Sequence, residues 1–352
     1  MAYPVVGKPR TSHFLQLWTR QYARHNRLLF PITWVWVCLL PIGPLGAQNH
    51  LHALLTPSDT LNRSRIWTVS AGGALGYGAA MYGLNKLWYT DYPREKFHTF
   101  NDWGEWEHID KAGHALTAYA ESQFASTIFR WTGLSPQASA WLGAGTGLLF
   151  QSTIEVFDGF SGGWGFSWGD MAFNTGGSSL FLGQQLLWKE QRIRLKISHT
   201  PPPYGAQPIR ATSGISRPFD QTVEELYGHF PASFFKDYNG MTTWATVNPA
   251  SFFSQKPAWV PAWLNLAVGY GANNVFGAYG NAITDAEGNV FYLQDLPRYR
   301  QLYLSFDIDL TRLPVKNPLL RTLFATLNWI KIPSPTMEWN SLGQPAFHWM
   351  YW

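Results

Sequence analysis

The sequence predicts a mainly α fold, a membrane-associated, glycine-rich helical bundle followed by an irregular C-terminal extension with antiparallel β-strands. Charged residues make up only 14% of the 352 residues, against about 25% in soluble proteins, whereas Phe, Trp and Tyr make up 16%. Few charges and many aromatic rings are typical of proteins that lie against a membrane. Many of the glycines fall in long apolar runs, where they allow helices to pack closely.

Four long runs with few turn signals predict the helices of the bundle. They cover residues 65–89, 114–131, 137–157 and 170–194. Polar residues such as Asn85, Glu121 and Gln151 interrupt these runs, so none is as continuously apolar as an ordinary membrane-spanning helix. A bundle that lies against or partly within a membrane therefore fits the sequence as well as one that crosses it.

The first 47 residues have the features of a signal peptide. Three arginines precede the apolar residues 28–45, and Ala47 supplies the small residue expected before a cleavage position. The alternative is an uncleaved inner-membrane anchor, because the apolar run approaches spanning length. Cys38 is the only cysteine, so a cleaved chain has neither a disulfide nor a thiolate nucleophile. The sequence predicts an exported cell-envelope protein, periplasmic or outer-membrane-associated.

The remaining chain divides near residue 200. Residues 48–200 are expected to form the bundle, and residues 201–352, which begin with three prolines, form the C-terminal extension. Within the extension, residues 263–272 and 301–310 alternate between apolar and polar side chains, as half-buried strands do. We expect a small antiparallel sheet that packs on the bundle.

Polar side chains recur at helical spacing inside three otherwise apolar segments. They form the pairs Asp110 and His114, Glu155 and Asp158, and Asp170 and Asn174. Residues three or four apart share one face of a helix, so the three pairs can converge. Burying ionisable groups costs several kcal/mol unless they are paired or bind an ion. The pattern therefore predicts either a self-satisfied network or a ligand site.

Each of these residues has a functional and a structural interpretation. Asp110 can orient the imidazole of His114, which makes His114 a general base, a metal ligand or a buried histidine satisfied by that carboxylate. Asp158 can close one helix and Asp170 can cap another without further purpose. Lys111 is expected to point away from Asp110, because adjacent residues lie about 100° apart around a helix, and to form an ion pair or an interface contact. The candidate catalytic residues are His114, Glu155 and Asp170, and the candidate ligands of a divalent metal ion, which is the candidate cofactor, are Asp110, His114, Glu155, Asp158 and Asp170.

The order of these blocks resembles a known family. The blocks are Asp110-Lys111-x-x-His114, Glu155-x-x-Asp158, and Gly165-Phe166-Ser167-Trp168-x-Asp170 followed by Asn174-x-x-Gly177. Over residues 60–195 the chain resembles the YfiM-like family of predicted periplasmic envelope proteins and, more distantly, VanZ-like membrane proteins. Residues 236–338 also resemble longer YfiM-like members. The resemblance implies an envelope location and a site, but no reaction.

Two functions from different classes remain open. The first is a structural or partner-binding envelope protein, in which the buried His/Asp/Glu network fixes helix register and the partner is a membrane or an envelope protein, with lipid contact. The second is a membrane-interface metal-dependent or acid/base hydrolase or transferase that acts on a lipid or cell-wall precursor. The sequence has no H-E-x-x-H motif, which favours the first. Nucleic-acid binding is excluded because basic residues are not interleaved with aromatic ones.

Overall fold

The computed structural model corrects the predicted fold class. It describes residues 54–89, 92–230, 232–255, 259–285 and 287–352. The predicted signal peptide, with Cys38 and the cleavage position after Ala47, lies outside the described residues. Of the described residues, 44% are helical and 23% are in strands, with a six-stranded antiparallel sheet, so the prediction of a mainly α, membrane-associated helical bundle is wrong. Along the described parts of the chain, no helix has both the length and the apolar character needed to cross a membrane.

Four long helices lie in the described part of the N-terminal half, close to the predicted positions. They are α1 (Arg63–Leu84), continued by a π-helical turn (Asn85–Tyr89), α2 (Ile109–Trp131), α3 (Pro136–Gly159) and α4 (Trp168–Leu187). The side chains of Ser135 and Ser167 cap α3 and α4 by accepting hydrogen bonds from backbone N–H groups. Helices α2, α3 and α4 pack against one another, while Met81 is the one buried residue within α1.

The sheet uses a segment that was predicted to be helical. Helix α4 ends at Leu187 instead of continuing to residue 194, because Ile193–His199 forms the first strand. In the order in which they pair, the strands are β1 (Ile193–His199), β4 (Met241–Val247), β5 (Leu264–Asn273), β8 (Tyr299–Ile308), β9 (Ser334–Asn340) and β10 (Pro345–Tyr351). Every neighbouring pair is antiparallel.

Smaller elements complete the C-terminal half. Two hairpin-like pairs are β2 (Pro208–Arg210) with β3 (Ser216–Pro218) and β6 (Ala282–Thr284) with β7 (Val290–Tyr292). The short helices are α5 (Phe219–Tyr227), α6 (Ala232–Lys236) and α7 (Pro318–Leu327). Helix α5 packs with β6 around a separate apolar cluster that includes Val223 and Ile283.

The sheet curls around a polar interior. The Tyr351 hydroxyl of the last strand lies 2.8 Å from that of Tyr303 on β8 and 3.3 Å from Thr242 Oγ1 on β4, so distant strands meet on the concave face. On β8 the buried face carries Tyr303 and Asp307, whereas alternating apolar residues such as Leu304 are half exposed. One face of this strand is buried, as predicted, but the buried face is the polar one.

The helices and the sheet share one apolar core. Ile109 of α2 packs with Ile197 of β1 and Met241 of β4, and Val275 follows the end of β5 in the same cluster. The convex face of the sheet is therefore covered by α2 near β1 and β4. This arrangement places the first turn of α2, and the polar residues on it, next to the junction between the two halves of the chain.

Candidate functional site

The predicted polar residues are positioned by three helices. Asp110 and His114 lie on the first turns of α2, Glu155 lies near the end of α3, and Asp170 and Asn174 lie on the first two turns of α4. Glu155, Asp170 and Asn174 are buried, while Asp110 and His114 are partly exposed. The helices thus bring side chains from three separate segments to one place, which we call the polar cluster.

Lys111 occupies the centre of the polar cluster. Its Nζ lies 2.7 Å from Asp102 Oδ2, 2.7 Å from Asp170 Oδ1 and 3.3 Å from Asp110 Oδ2. Burial opposes the charge of Lys111, but these carboxylates raise its pKa above the ordinary value. Lys111 forms ion pairs, one of its two predicted roles, but the expected direction away from Asp110 is wrong, because its long flexible stem lets the ammonium group reach back beside Asp110.

His114 faces carboxylates with both ring nitrogens. Its Nε2 lies 3.7 Å from Asp170 Oδ1 and 3.9 Å from Asp110 Oδ1. Its Nδ1 lies 3.1 Å from Asn174 Oδ1, and because an amide oxygen only accepts, Nδ1 carries the proton of that bond. Burial lowers the pKa of His114, but the facing carboxylates outweigh that effect and raise it overall.

Two buried carboxyl groups of the cluster hold their protons more tightly than usual. Burial, together with the charges of Asp170 and Asp158, raises the pKa of Glu155 to about 8. Burial and the charge of Asp110 raise the pKa of Asp170 to about 7. The Ser167 N–H donates to Glu155 Oε2 at 3.2 Å, whereas Glu155 Oε1 has no hydrogen-bond partner within the described part of the chain and lies 3.7 Å from His114 Nδ1.

Asp158 has a different main partner from the other candidates. The Tyr89 hydroxyl donates to Asp158 Oδ1 at 2.8 Å, and burial raises the pKa of Asp158 to about 7. Of the five candidate metal ligands, Asp110, His114 and Asp170 each offer one atom within 4.8 Å of the others. Glu155 comes near these three residues at His114, where its Oε1 lies 3.7 Å from Nδ1, whereas Asp158 is hydrogen-bonded to Tyr89.

The cluster also includes side chains from outside the three predicted pairs. The Ser167 hydroxyl donates to Asp102 Oδ1 at 2.7 Å, so the loop before α2 closes the cluster from one side. Tyr238, from the C-terminal half, donates to Asp110 Oδ1 at 3.3 Å. Asp102 lies in the polar stretch just upstream of α2, which by sequence can supply further ligands or can be a surface segment without special purpose. Tyr238 lies in the Lys-Asp-Tyr-Asn-Gly stretch that carries part of the family resemblance. That resemblance is the sequence feature that could have identified Tyr238 as part of the site.

The cluster carries an excess of acidic groups. Four carboxyl groups, those of Asp102, Asp110, Glu155 and Asp170, face two side chains that can be cationic, Lys111 and His114. An excess of negative charge at a buried place requires protons or a further cation. Two carboxylates and one imidazole are ligands that divalent metal ions bind. The residues are therefore compatible both with protonated carboxyl groups and with a bound cation.

Comparison with known protein families gives a match over part of the chain. Residues 100–183 match a family described as predicted periplasmic lipoprotein (DUF2279), and this stretch contains the cluster from Asp102 to Asn174. No curated protein and no solved structure matches the chain. The match confirms the predicted cell-envelope location and supports an envelope-protein family, while the YfiM-like and VanZ-like names stay predictions. The chain is an exported envelope protein that is similar, over residues 100–183, to this family.

Proposed function

We propose that the protein is a non-catalytic component of the cell envelope, in which the buried polar cluster fixes the packing of the helices while exposed apolar faces bind a partner. The observation that carries this proposal is the position of Lys111. Its ammonium group contacts carboxylates from the loop before α2, from α2 itself and from α4. A buried cation that joins three segments specifies one relative position for all of them.

The position of Lys111 also supports a structural role over a catalytic one. Its charge lies at hydrogen-bonding distance from Asp170 Oδ1, the same oxygen that lies 3.7 Å from His114 Nε2. A permanent positive charge there repels an incoming metal cation and competes for the same carboxylate. The positive charge of Lys111 therefore balances part of the negative charge that a metal ion would otherwise balance.

The proposal is tested by removing the charge of Lys111. We expect Lys111→Met to lower the free energy of unfolding by about 3–5 kcal/mol, because buried carboxylates lose their partner. The control is Lys189→Met, which removes an exposed lysine just after α4 and is expected to change stability by less than about 0.5 kcal/mol. Denaturant unfolding measures both variants. Wild-type stability in Lys111→Met would contradict the structural role.

A metal-dependent hydrolase or transferase acting on a lipid or cell-wall precursor is the second candidate function, favoured by a separate observation. Asp110, His114 and Asp170 each direct one potential ligand atom into a space in which these atoms lie within 4.8 Å of one another. In this case His114 acts as ligand or base, and Glu155 and Asp170 act as ligands or proton carriers. A bound divalent cation would supply Lewis-acid activation of a substrate oxygen or of water.

The two candidates are separated by metal content and by two variants. The purified protein is analysed for bound metal by mass spectrometry, and His114→Ala and Glu155→Ala are compared with His229→Ala, in which an 84% exposed histidine side chain is removed. Normal folding with loss of bound metal in the first two variants supports a metal site, which the second candidate function needs. Loss of stability in a protein that binds no metal supports the structural network.

A further inference from the structure

The part of the convex face that α2 does not cover carries an apolar surface on β5, β8, β9 and β10. Val268, Leu304, Met337 and Phe347 lie directly opposite one another on β5, β8, β9 and β10 and form one row across four strands. These four side chains are between 39% and 56% exposed. Leu302 and Trp339 lie opposite each other in the neighbouring row on one side, and Leu266 and Phe306 lie opposite each other in the neighbouring row on the other side. The surface therefore has at least three rows. We call it the convex apolar face.

The polarity of the sheet is reversed relative to a sheet that lies in water. Its concave face buries Lys196, Asp307 and Glu338, while its convex face exposes Leu, Phe, Met and Trp side chains. A shift of pairing by one residue would exchange the two faces, yet the strand register keeps the apolar side chains outside. The sequence and register thus select an apolar exterior, which water disfavours and a hydrocarbon environment favours.

The convex apolar face is larger than the apolar patches that soluble monomeric proteins usually expose. Together with Trp349, which is 75% exposed, nine residues contribute to it. Nine side chains of this size present on the order of 1,000 Å² of apolar surface, whereas the largest patch on a typical soluble monomer is about 300–600 Å². This surface therefore requires a partner.

The chemistry of the face matches lipid better than protein. The positions in its central row offer no charged or hydrogen-bonding side chain, whereas a protein interface carries about one hydrogen bond per 100–200 Å². Two polar side chains beside the face already have partners within the chain. The Tyr270 hydroxyl donates a hydrogen bond to the Glu107 carbonyl oxygen, and Arg300 forms a salt bridge of 2.9 Å with the Glu107 carboxylate. Trp339 and Trp349 add aromatic rings of the kind that sit at a membrane interface.

We infer that the convex apolar face docks on the hydrocarbon layer of an envelope lipid membrane. The inference rests on the proposed envelope role and names lipid as the partner of this surface. Because hydrocarbon contact drives the docking, it is expected in zwitterionic phosphatidylcholine vesicles and to persist at about 0.5 M salt, where attraction of the basic chain to anionic lipid is screened.

Vesicle flotation of the full chain tests the inference. Leu304→Glu together with Met337→Glu is expected to lower partitioning into phosphatidylcholine vesicles at least about tenfold, because each charge must leave water on docking. Ile215→Glu is the control, since Ile215 is 45% exposed and Leu304 is 48% exposed. If the double variant is unstable, Leu304→Ser with Met337→Ser replaces it. Equal flotation of double variant and control, or flotation that salt abolishes, would overturn the inference.

A fluorescent label reports whether the face itself enters the lipid. Cys38 is the only cysteine, so Leu304→Cys in a Cys38→Ser background accepts a single polarity-sensitive dye. A shift to shorter wavelength on adding vesicles, absent from Ile215→Cys, supports docking. A short-wavelength signal already present without vesicles would show that another part of the chain or a second copy covers the face, which overturns it. Either failure leaves the stability test of Lys111→Met unaffected, so the two proposals can fail separately.

Discussion

Lys196 and Asp307 form a salt bridge of 2.7 Å in which neither side chain is exposed. Lys196 Nζ also donates to Asn328 Oδ1 at 3.1 Å and to the Ile308 carbonyl oxygen at 3.0 Å, so its three donors are used. Lys196→Met leaves the Asp307 carboxylate buried without its cation. We expect the free energy of unfolding to fall by about 3–5 kcal/mol, measured by denaturant titration.

A double variant of Lys196 and Asp307 distinguishes the effect of an unpaired charge from the effect of altered packing. Replacing both partners, as Lys196→Met with Asp307→Leu, removes the buried charges together and is expected to recover most of the lost stability. If the double variant is as unstable as Lys196→Met, the loss arises from altered packing of the concave face, and the prediction about an uncompensated charge is wrong.

Glu121 provides a pH prediction at a single residue. Burial raises its pKa from 4.5 to about 7, although Gln151 donates to both carboxylate oxygens at 2.9 and 3.0 Å and lowers it in part. The folded protein therefore holds a proton that the unfolded chain releases above about pH 4.5. This contribution to stability is complete below that pH and is lost as the pH rises through about 7, by up to about 3 kcal/mol.

Glu121→Gln removes this pH dependence, because the amide does not ionise. Relative to the wild type, we expect the variant to gain stability at pH 8 and to be nearly equal at pH 4, as measured by thermal unfolding across that range. Glu224→Gln, at a half-exposed glutamate of α5, is the control and is expected to leave this part of the profile unchanged. Parallel profiles for Glu121→Gln and the wild type would contradict the assignment.

At the scale of helices, glycines decide how closely α2 and α3 approach. A Cβ on Gly147 would lie 2.8 Å from the Ala118 carbonyl oxygen and 2.5 Å from Ser122 Oγ, whereas a Cβ on Gly145 would meet nothing within 4 Å. We expect Gly147→Ala to destabilise the protein by about 1–3 kcal/mol through overpacking, and Gly145→Ala to stabilise it by up to about 1 kcal/mol through helix propensity. Denaturant unfolding of both variants checks this. Similar effects at the two positions would contradict the packing argument.

The helices were largely predictable because their signals are local. Proline and serine at Ser135-Pro136 mark the start of α3, and the periodic apolar residues carry it to its end. The end of α4 was missed because Ile193–His199 pairs with β4, and pairing between distant segments overrides local pattern. The convergence of Asp110, His114 and Asp170 followed from spacing, whereas the direction of Lys111 depended on a carboxylate 59 residues away.

The sheet was harder to predict because its interior is polar. Alternation on β8 correctly indicated a strand with one buried face, but the burial of Asp307 depends on Lys196, which lies far away in the sequence. Strands with polar inward residues also lack the apolar runs by which buried strands are usually identified. A sheet of six strands therefore appeared in the sequence as two isolated segments.

At the scale of the whole molecule, one apolar core joins the helices to the sheet. Ile109 is 1% exposed and belongs to the cluster that contains Ile197 and Met241. Tyr238 also crosses the junction by donating to Asp110. We therefore expect the two halves to unfold as one cooperative unit, in which a defect at the junction lowers the stability of helices and strands alike.

Ile109→Ala tests this cooperativity. The cavity is expected to cost about 2–5 kcal/mol, and hydrogen exchange followed by mass spectrometry should show the same loss of protection in peptides from α3 and from β8. Leu75→Ala, at a 75% exposed leucine of α1, is the control and is expected to change neither. Loss of protection confined to the α3 peptides would mean that the halves open independently. In that case the polar cluster would fix only the helices, and the orientation of the convex apolar face relative to them would not depend on it.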